Sequence, residues 1–174
     1  MRLSIVVPCC NEELVLRETT VRLSAVLNSL VEKRKISSDS FILYVNDGSR
    51  DMTWAIIESL HDKNPYVKGL NLAGNVGHQN ALMAGLMTAK GYADVLVSID
   101  ADLQDDVSVI EEMVDRYKEG YDIVYGVRSS RDSDTFFKKN TALAFYKLMS
   151  WLGVKSVYNH ADYRLMSRRA VEQL

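Results

Sequence analysis

Hydrophobic and polar positions along these 174 residues fall into two alternating patterns. Short apolar runs at 3–7, 41–45, 67–72 and 95–99 are rich in branched side chains and bounded by turn-forming residues, which predicts strands buried on both faces. Between them lie stretches with apolar residues three and four apart, which predicts helices over about 12–35, 51–61, 77–90 and 107–119. The first of these carries Leu16, Leu23, Leu27 and Leu30 along one stripe. A fifth short strand is expected at 123–125, a polar loop at 128–135, a helix at 136–152 and an extended piece at 163–166. Repeated strand–helix–strand units with apolar strands imply an α/β fold, a mostly parallel central sheet flanked by helices. Ligands in such folds gather at the carboxyl ends of the strands. With no Pro-, Gly- or Ser-rich linker and no repeat, one domain over 1–174 is expected.

Composition narrows the class. Apolar residues make up 47 % and charged residues 25 %, ordinary for a globular protein. A net charge of −2 argues against a nucleic-acid partner. Cys9 and Cys10 are adjacent and make no disulfide framework, so a cytosolic, reducing setting is the default and both read as small packing residues. No segment approaches the roughly 20 apolar residues of a spanning helix, and no signal peptide precedes Leu3. At 167–174 a helix opens from a serine cap and then stops, so a longer parent protein is expected.

The chemistry concentrates where strands end. The fourth run, Val95-Leu96-Val97-Ser98-Ile99, stops in Asp100-Ala101-Asp102-Leu103-Gln104-Asp105-Asp106. On an extended segment Asp100 and Asp102 project to one side. Two such carboxylates repel unless a cation neutralises them, and Mg²⁺ or Mn²⁺ takes carboxylate oxygens together with substrate phosphate oxygens. Strand-end capping is the competing role for a lone D-x-D. After the first strand, Pro8-Cys9-Cys10-Asn11-Glu12-Glu13 turns into a helix; Glu13 suits its positive end, while Asn11 and Glu12 suit a nucleobase or ribose edge. After the second, Asp47 follows a buried strand and is placed to accept from a base imide or a ribose, and Asp51 with Thr53 opens a helix. After the third, Gly74-Asn75-Val76-Gly77-His78 allows close backbone approach and offers amides to an anion, with His78 as a polar helix start. After the fifth, Arg128 and Arg131 suit a phosphate clamp, and Lys138 and Lys139 suit a solvated surface. The apolar face of 136–152 fits either core packing or a membrane surface.

Taken together, Pro8-x-x-Asn11-Glu12-Glu13, Asp47-Gly48-Ser49-x-Asp51-x-Thr53, Asp100-Ala101-Asp102-Leu103-Gln104-Asp105, Gly126-x-Arg128 and Asp162-Tyr163-Arg164-Leu165 resemble, in order and spacing, the family-2 glycosyltransferases of GT-A fold. Within them the likeness is to the polyprenyl-phosphate glycosyltransferases, and it covers essentially the whole chain. The resemblance implies that Pro8, Cys10, Glu12, Val45 and Asp47 line the nucleoside pocket of a UDP- or GDP-sugar. It implies that Asp100 and Ala101 contact ribose and diphosphate, that Asp102 and Gln104 hold Mg²⁺ or Mn²⁺, and that Arg128 and Arg131 face an acceptor polyprenyl phosphate. Asp162 and His160 are the candidates for a general base, which an anionic phosphate acceptor does not need. The implied reaction inverts the anomeric carbon at the cytoplasmic face of a membrane, in a catalytic domain cut before C-terminal membrane helices; a homo-oligomer stays open. Two departures stand out: Cys10 where the family usually has an aromatic residue, and Asp106-Val107 where it commonly has prolines. Two alternatives also stand: a family-2 transferase acting on a glycan hydroxyl in polysaccharide synthesis, and a non-catalytic nucleotide-sugar-binding module. A nicotinamide dehydrogenase is disfavoured, since no G-x-G-x-x-G follows the first strand.

Overall fold

The computed structural model describes residues 1–102, 104–127 and 160–174. The chain divides into two compact units, Met1–Tyr125 with Asp162–Leu174, and Gly126–Ala161; the description concerns the first. Arg128, Arg131, Lys138 and Lys139, and the helix expected over 136–152, lie outside the described residues.

Among the described residues six strands form one sheet: β1 (Leu3–Cys9), β2 (Phe41–Asn46), β3 (Val67–Asn71), β4 (Val95–Ser98), β5 (Ile123–Val127) and β6 (His160–Ser167), in the order β3-β2-β1-β4-β6-β5. β1, β2, β3 and β4 run parallel, and β6 runs antiparallel against β4. Four helices separate the parallel strands and follow the fourth: α1 (Leu16–Glu32), α2 (Thr53–Lys63), α3 (His78–Ala89) and α4 (Val109–Lys118). The α/β class expected from the sequence is the class observed. β1, β2 and β4 are buried along their whole lengths, as their unbroken apolar runs require. β3 departs from that reading: only Val67 is fully buried, because β3 is the sheet's edge.

Crossovers place the helices. β1 to β2 to β3 steps outward in one direction; β3 to β4 steps back across β1. A right-handed connection then puts α3 on the opposite face from α1 and α2. Accordingly α1 packs against α2 and α4, while α3 lies on β1 and β2. The α3 face buries Val6, Leu43, Val45, Leu82, Leu86 and Leu96 in one cluster. Gly85 is what lets α3 sit so close. A Cβ there would meet Val6 Cγ1 at 2.5 Å and Val45 Cγ2 at 2.6 Å. On the other face Thr20 and Tyr44 share a hydrogen bond of 2.8 Å between buried hydroxyls.

The predicted serine cap is present: Ser167 Oγ accepts from the Ala170 amide at 3.0 Å and opens the closing helical turn Arg168–Val171. Among the described residues no helix is long and apolar enough to cross a membrane.

Candidate active site

The loops after β1, β2 and β3 meet the turn after β4 at the carboxyl edge of the sheet. Their cleft, about 470 Å³, lies at the point where the strand order reverses between β1 and β4, the position at which open α/β sheets bind ligands.

The first two loops lock each other. The amides of Asn11, Glu12 and Glu13 donate to Ser49 Oγ (3.0 Å), Thr53 Oγ1 (2.8 Å) and Asp51 Oδ2 (3.2 Å). In return Asn11 Oδ1 accepts from the Arg50 amide (2.9 Å) and Glu13 Oε2 from the Met52 amide (2.9 Å). Asn11 adopts φ of 58°, a left-handed conformation that asparagine tolerates better than most residues. Helix α1 starts at Leu16 and not at 12, after a turn in which the Glu12 carbonyl accepts from the Val15 and Leu16 amides. Two expectations change with this. Glu13 serves the start of α2 and not its own helix, and the side-chain carbonyl of Asn11 belongs to the loop. Glu12 alone of the three turns its side chain into the cleft.

Asp47 is 2 % exposed and closes the lock from the third side. Its carboxylate accepts from the Val76 amide (2.6 Å) and the Gly77 amide (3.0 Å), so those amides of the glycine-bearing loop already face an anion, one the protein supplies. Gly48, at φ +62°, permits this approach: a Cβ there would collide with the Asn75 nitrogen and lie 2.7 Å from the Gly74 carbonyl carbon. Asn75 Nδ2 donates to the Asp47 carbonyl (3.1 Å) and to Cys10 Sγ (3.2 Å).

The turn after β4 brings Asp100, Ala101 and Asp102 to the cleft opposite Glu12. Asp102 Oδ1 accepts from the Gln104 amide at 3.1 Å, and His78 Nε2 at the start of α3 stands 3.5 Å from Asp100 Oδ1. Tyr163 of β6 donates its hydroxyl to the Asp106 carbonyl (3.0 Å), tying the following segment to the sheet.

Pro8, Cys10, Glu12, Asp47, Asp100, Ala101 and Asp102, singled out from the sequence, come together as cleft lining. Val45 does not join them. It is fully buried, its side chain beneath Gly85 of α3, because alternation along β2 turns it to that face. Gln104 is exposed beside Asp102. The backbones of Asp162 and His160 lie in β6. The lining also includes Cys9, Asn75, Gly77 and Ala81. Burial pushes the Cys9 thiol up, which suits a packing role. Asn75 carried no signal in the sequence beyond its place between two glycines.

Electrostatically the cleft is one-sided. Glu12, Asp47, Asp100 and Asp102 line it beside a single histidine, His78, and among the described residues the lining holds no lysine or arginine. Burial first, then the charges of Asp102, Asp100 and Asp51, hold the Glu12 carboxyl above the usual carboxylate range. Among the described residues no three His, Cys, Asp or Glu side chains stand grouped as a ready-made metal site. Asp102 with Gln104 nevertheless fits the chemistry of Mg²⁺ or Mn²⁺, which take hard oxygen ligands from one or two protein groups and the rest from a substrate's phosphates.

A doubly wound sheet whose acidic switch-point cleft is assembled from four loops is an architecture that receives its ligand at the carboxyl ends of the strands. Residues 4–174 match the family described as glycosyl transferase family 2, and the chain belongs to that family. It is 57 % identical over 172 residues to the uncharacterized glycosyltransferase YkoT of Bacillus subtilis, covering 99 % of this chain and 51 % of that protein. It is 37 % identical over 175 residues to the bactoprenol glucosyl transferase of Shigella phage SfV, covering 100 % of this chain and 54 % of that protein. The chain thus spans about half the length of the curated relatives it matches. Among solved structures, glucosyl-3-phosphoglycerate synthase from Mycobacterium tuberculosis, in complex with Mn²⁺, UDP and phosphoglyceric acid, superposes with a TM-score of 0.63 at 19 % identity, covering 97 % of this chain and 56 % of that one. This last likeness concerns the fold, which is GT-A.

Proposed function

We propose that this chain is the donor-binding and catalytic part of an inverting, metal-dependent hexosyltransferase that moves a sugar from a UDP- or GDP-sugar to a polyprenyl phosphate at the cytoplasmic face of a membrane. The observation that carries the reading is the cleft's charge. A donor diphosphate entering a lining of four carboxylates, one histidine and, among the described residues, no lysine or arginine needs a cation for company. The relationship to bactoprenol glucosyl transferases supports the lipid-phosphate acceptor.

In this reading Pro8, Cys10, Glu12 and Asp47 receive the nucleoside. Asp47 has two lone-pair positions left after its loop bonds, enough to accept from a base imide. Asp100 and Ala101 lie along the ribose and diphosphate. Asp102 and Gln104 would hold Mg²⁺ or Mn²⁺, which when bound supplies positive charge to the diphosphate as the anomeric bond breaks. His78, at the start of α3, lies beside Asp100 on this side of the cleft. Arg128 and Arg131 are assigned to the acceptor phosphate, whose own negative charge makes it a nucleophile without a strong base.

The assignment is tested by calorimetry of UDP and GDP binding with and without Mn²⁺. Wild type is expected to bind one diphosphate more tightly when Mn²⁺ is present. Asp102→Ala should abolish that gain; an undiminished gain in the variant overturns the metal assignment.

A further inference from the structure

Helix α1 presents Leu16, Leu23, Leu27 and Leu30 to the core, and the stripe has one polar slot, Thr19 with Thr20. Both are buried, Thr19 completely. Thr20 is accounted for by its bond to Tyr44. Thr19 is different. Its Oγ1 lies 2.7 Å from the carbonyl oxygen of Ala101, 82 residues away in the turn that carries Asp100 and Asp102. The second acceptor within reach, the Val15 carbonyl at 3.0 Å, already receives the Thr19 backbone amide at 3.0 Å as an ordinary helical bond. A hydroxyl has a single proton. The shorter contact, to an acceptor with no helical donor of its own, takes it.

We propose that Thr19 is a positioning residue for the acidic turn: its hydroxyl, held on a rigid helix, anchors the Ala101 carbonyl and so sets the direction in which Asp102 leaves the chain. The Ala101 carbonyl belongs to the planar peptide unit that joins Ala101 to Asp102, so fixing that oxygen fixes the plane from which the Asp102 side chain departs. Packing alone does not account for a threonine here. Valine is close to threonine in shape and, lacking the hydroxyl, leaves no polar group to satisfy in the stripe. The inference rests on the metal reading of Asp102 made above, to which it adds a residue that never touches substrate.

Four variants test it: Thr19→Val, Thr19→Ser, Thr19→Ala and, as a reference, Asp102→Ala. The readout is UDP or GDP affinity by calorimetry with and without Mn²⁺, alongside the Tm of the ligand-free chain. Thr19→Val is expected to cut the Mn²⁺-dependent gain in affinity by about tenfold, the size typical of losing a group that orients a metal ligand. Nucleotide affinity without metal should stay at the wild-type level, and Thr19→Ser should restore the gain. Should Thr19→Val not fold, the pair Thr19→Ser and Thr19→Ala carries the same comparison, since both lack the methyl and one keeps the hydroxyl. A full gain in Thr19→Val or Thr19→Ala, with the gain lost in Asp102→Ala, overturns the positioning role and leaves the metal reading standing. A gain retained in Asp102→Ala overturns both.

Discussion

Asp47 belongs to scaffold and site at once. Its two oxygens hold the loop after β3 by the Val76 and Gly77 amides, yet the side chain still faces the cleft. Such double use depends on the residue beside it. Gly48 has φ of +62° and no room for a side chain against Gly74 and Asn75. Gly48→Ala would combine backbone strain with a backbone clash, costs of about 1–3 kcal/mol. For a chain of this size that lowers Tm by about 2–4 °C per kcal/mol, measurable by calorimetric melting. The D-G-S-x-D-x-T run reads in sequence as a ligand motif with a helix start. In the structure Ser49 and Thr53 spend their acceptors on the neighbouring loop, Asp51 divides its oxygens between that loop and the Thr53 amide that opens α2 (3.0 Å), and Asp47 alone among them lines the cleft. Nothing in the sequence distinguishes these roles, because the partner amides lie about 40 positions away and hydrogen-bond capacity is the same for either use.

At the scale of elements, strand and helix identities were legible throughout the described residues because buried strands need apolar runs and surface helices need a stripe. Ends were less so. The start of α1 lies at 16 and not at 12, after a turn closed on the Glu12 carbonyl, and the exposure of β3 follows from an edge position that local pattern does not encode. One inter-element tie makes a prediction about pH. Lys33 and Lys35, just past the end of α1, pair with Glu111 of α4 at 2.6 and 2.8 Å. Together they hold the Glu111 carboxyl down from its ordinary 4.5 to about 2. A depressed acid stabilises the fold above its unfolded value and loses that contribution as pH falls through its folded one. Glu111→Gln should therefore lower Tm slightly at neutral pH, with the difference from wild type vanishing as pH falls from about 4.5 to about 2. Because the pair is exposed, added salt should shrink the difference at neutral pH as well. An effect unchanged by acid and salt would assign Glu111 a packing role.

The whole molecule raises the question of the acceptor. A glycan hydroxyl must lose its proton as it attacks, whereas a phosphate oxygen is already anionic near neutral pH. Asp162, in β6, is the candidate base named by the resemblance. With a polyprenyl phosphate acceptor, Asp162→Ala in the complete protein should leave turnover near wild type. A loss of turnover by about 10²-fold or more with donor affinity preserved would instead assign the chain to hydroxyl acceptors.

Sequence alone determined the class of the fold, the alternation of strand and helix, and most of the list from which the cleft is made, since each depends on local spacing and side-chain chemistry. Tertiary structure decided which members of that list meet. It turned Val45 under α3, enlisted Asn11, Glu13, Ser49, Asp51 and Thr53 as mutual fasteners, and brought Thr19 to the Ala101 carbonyl. The reason is physical. Side-chain direction along a strand and the crossing of a helix over a distant turn are set by how the sheet is wound, and a hydrogen bond exists only where winding brings its two ends within about 3 Å.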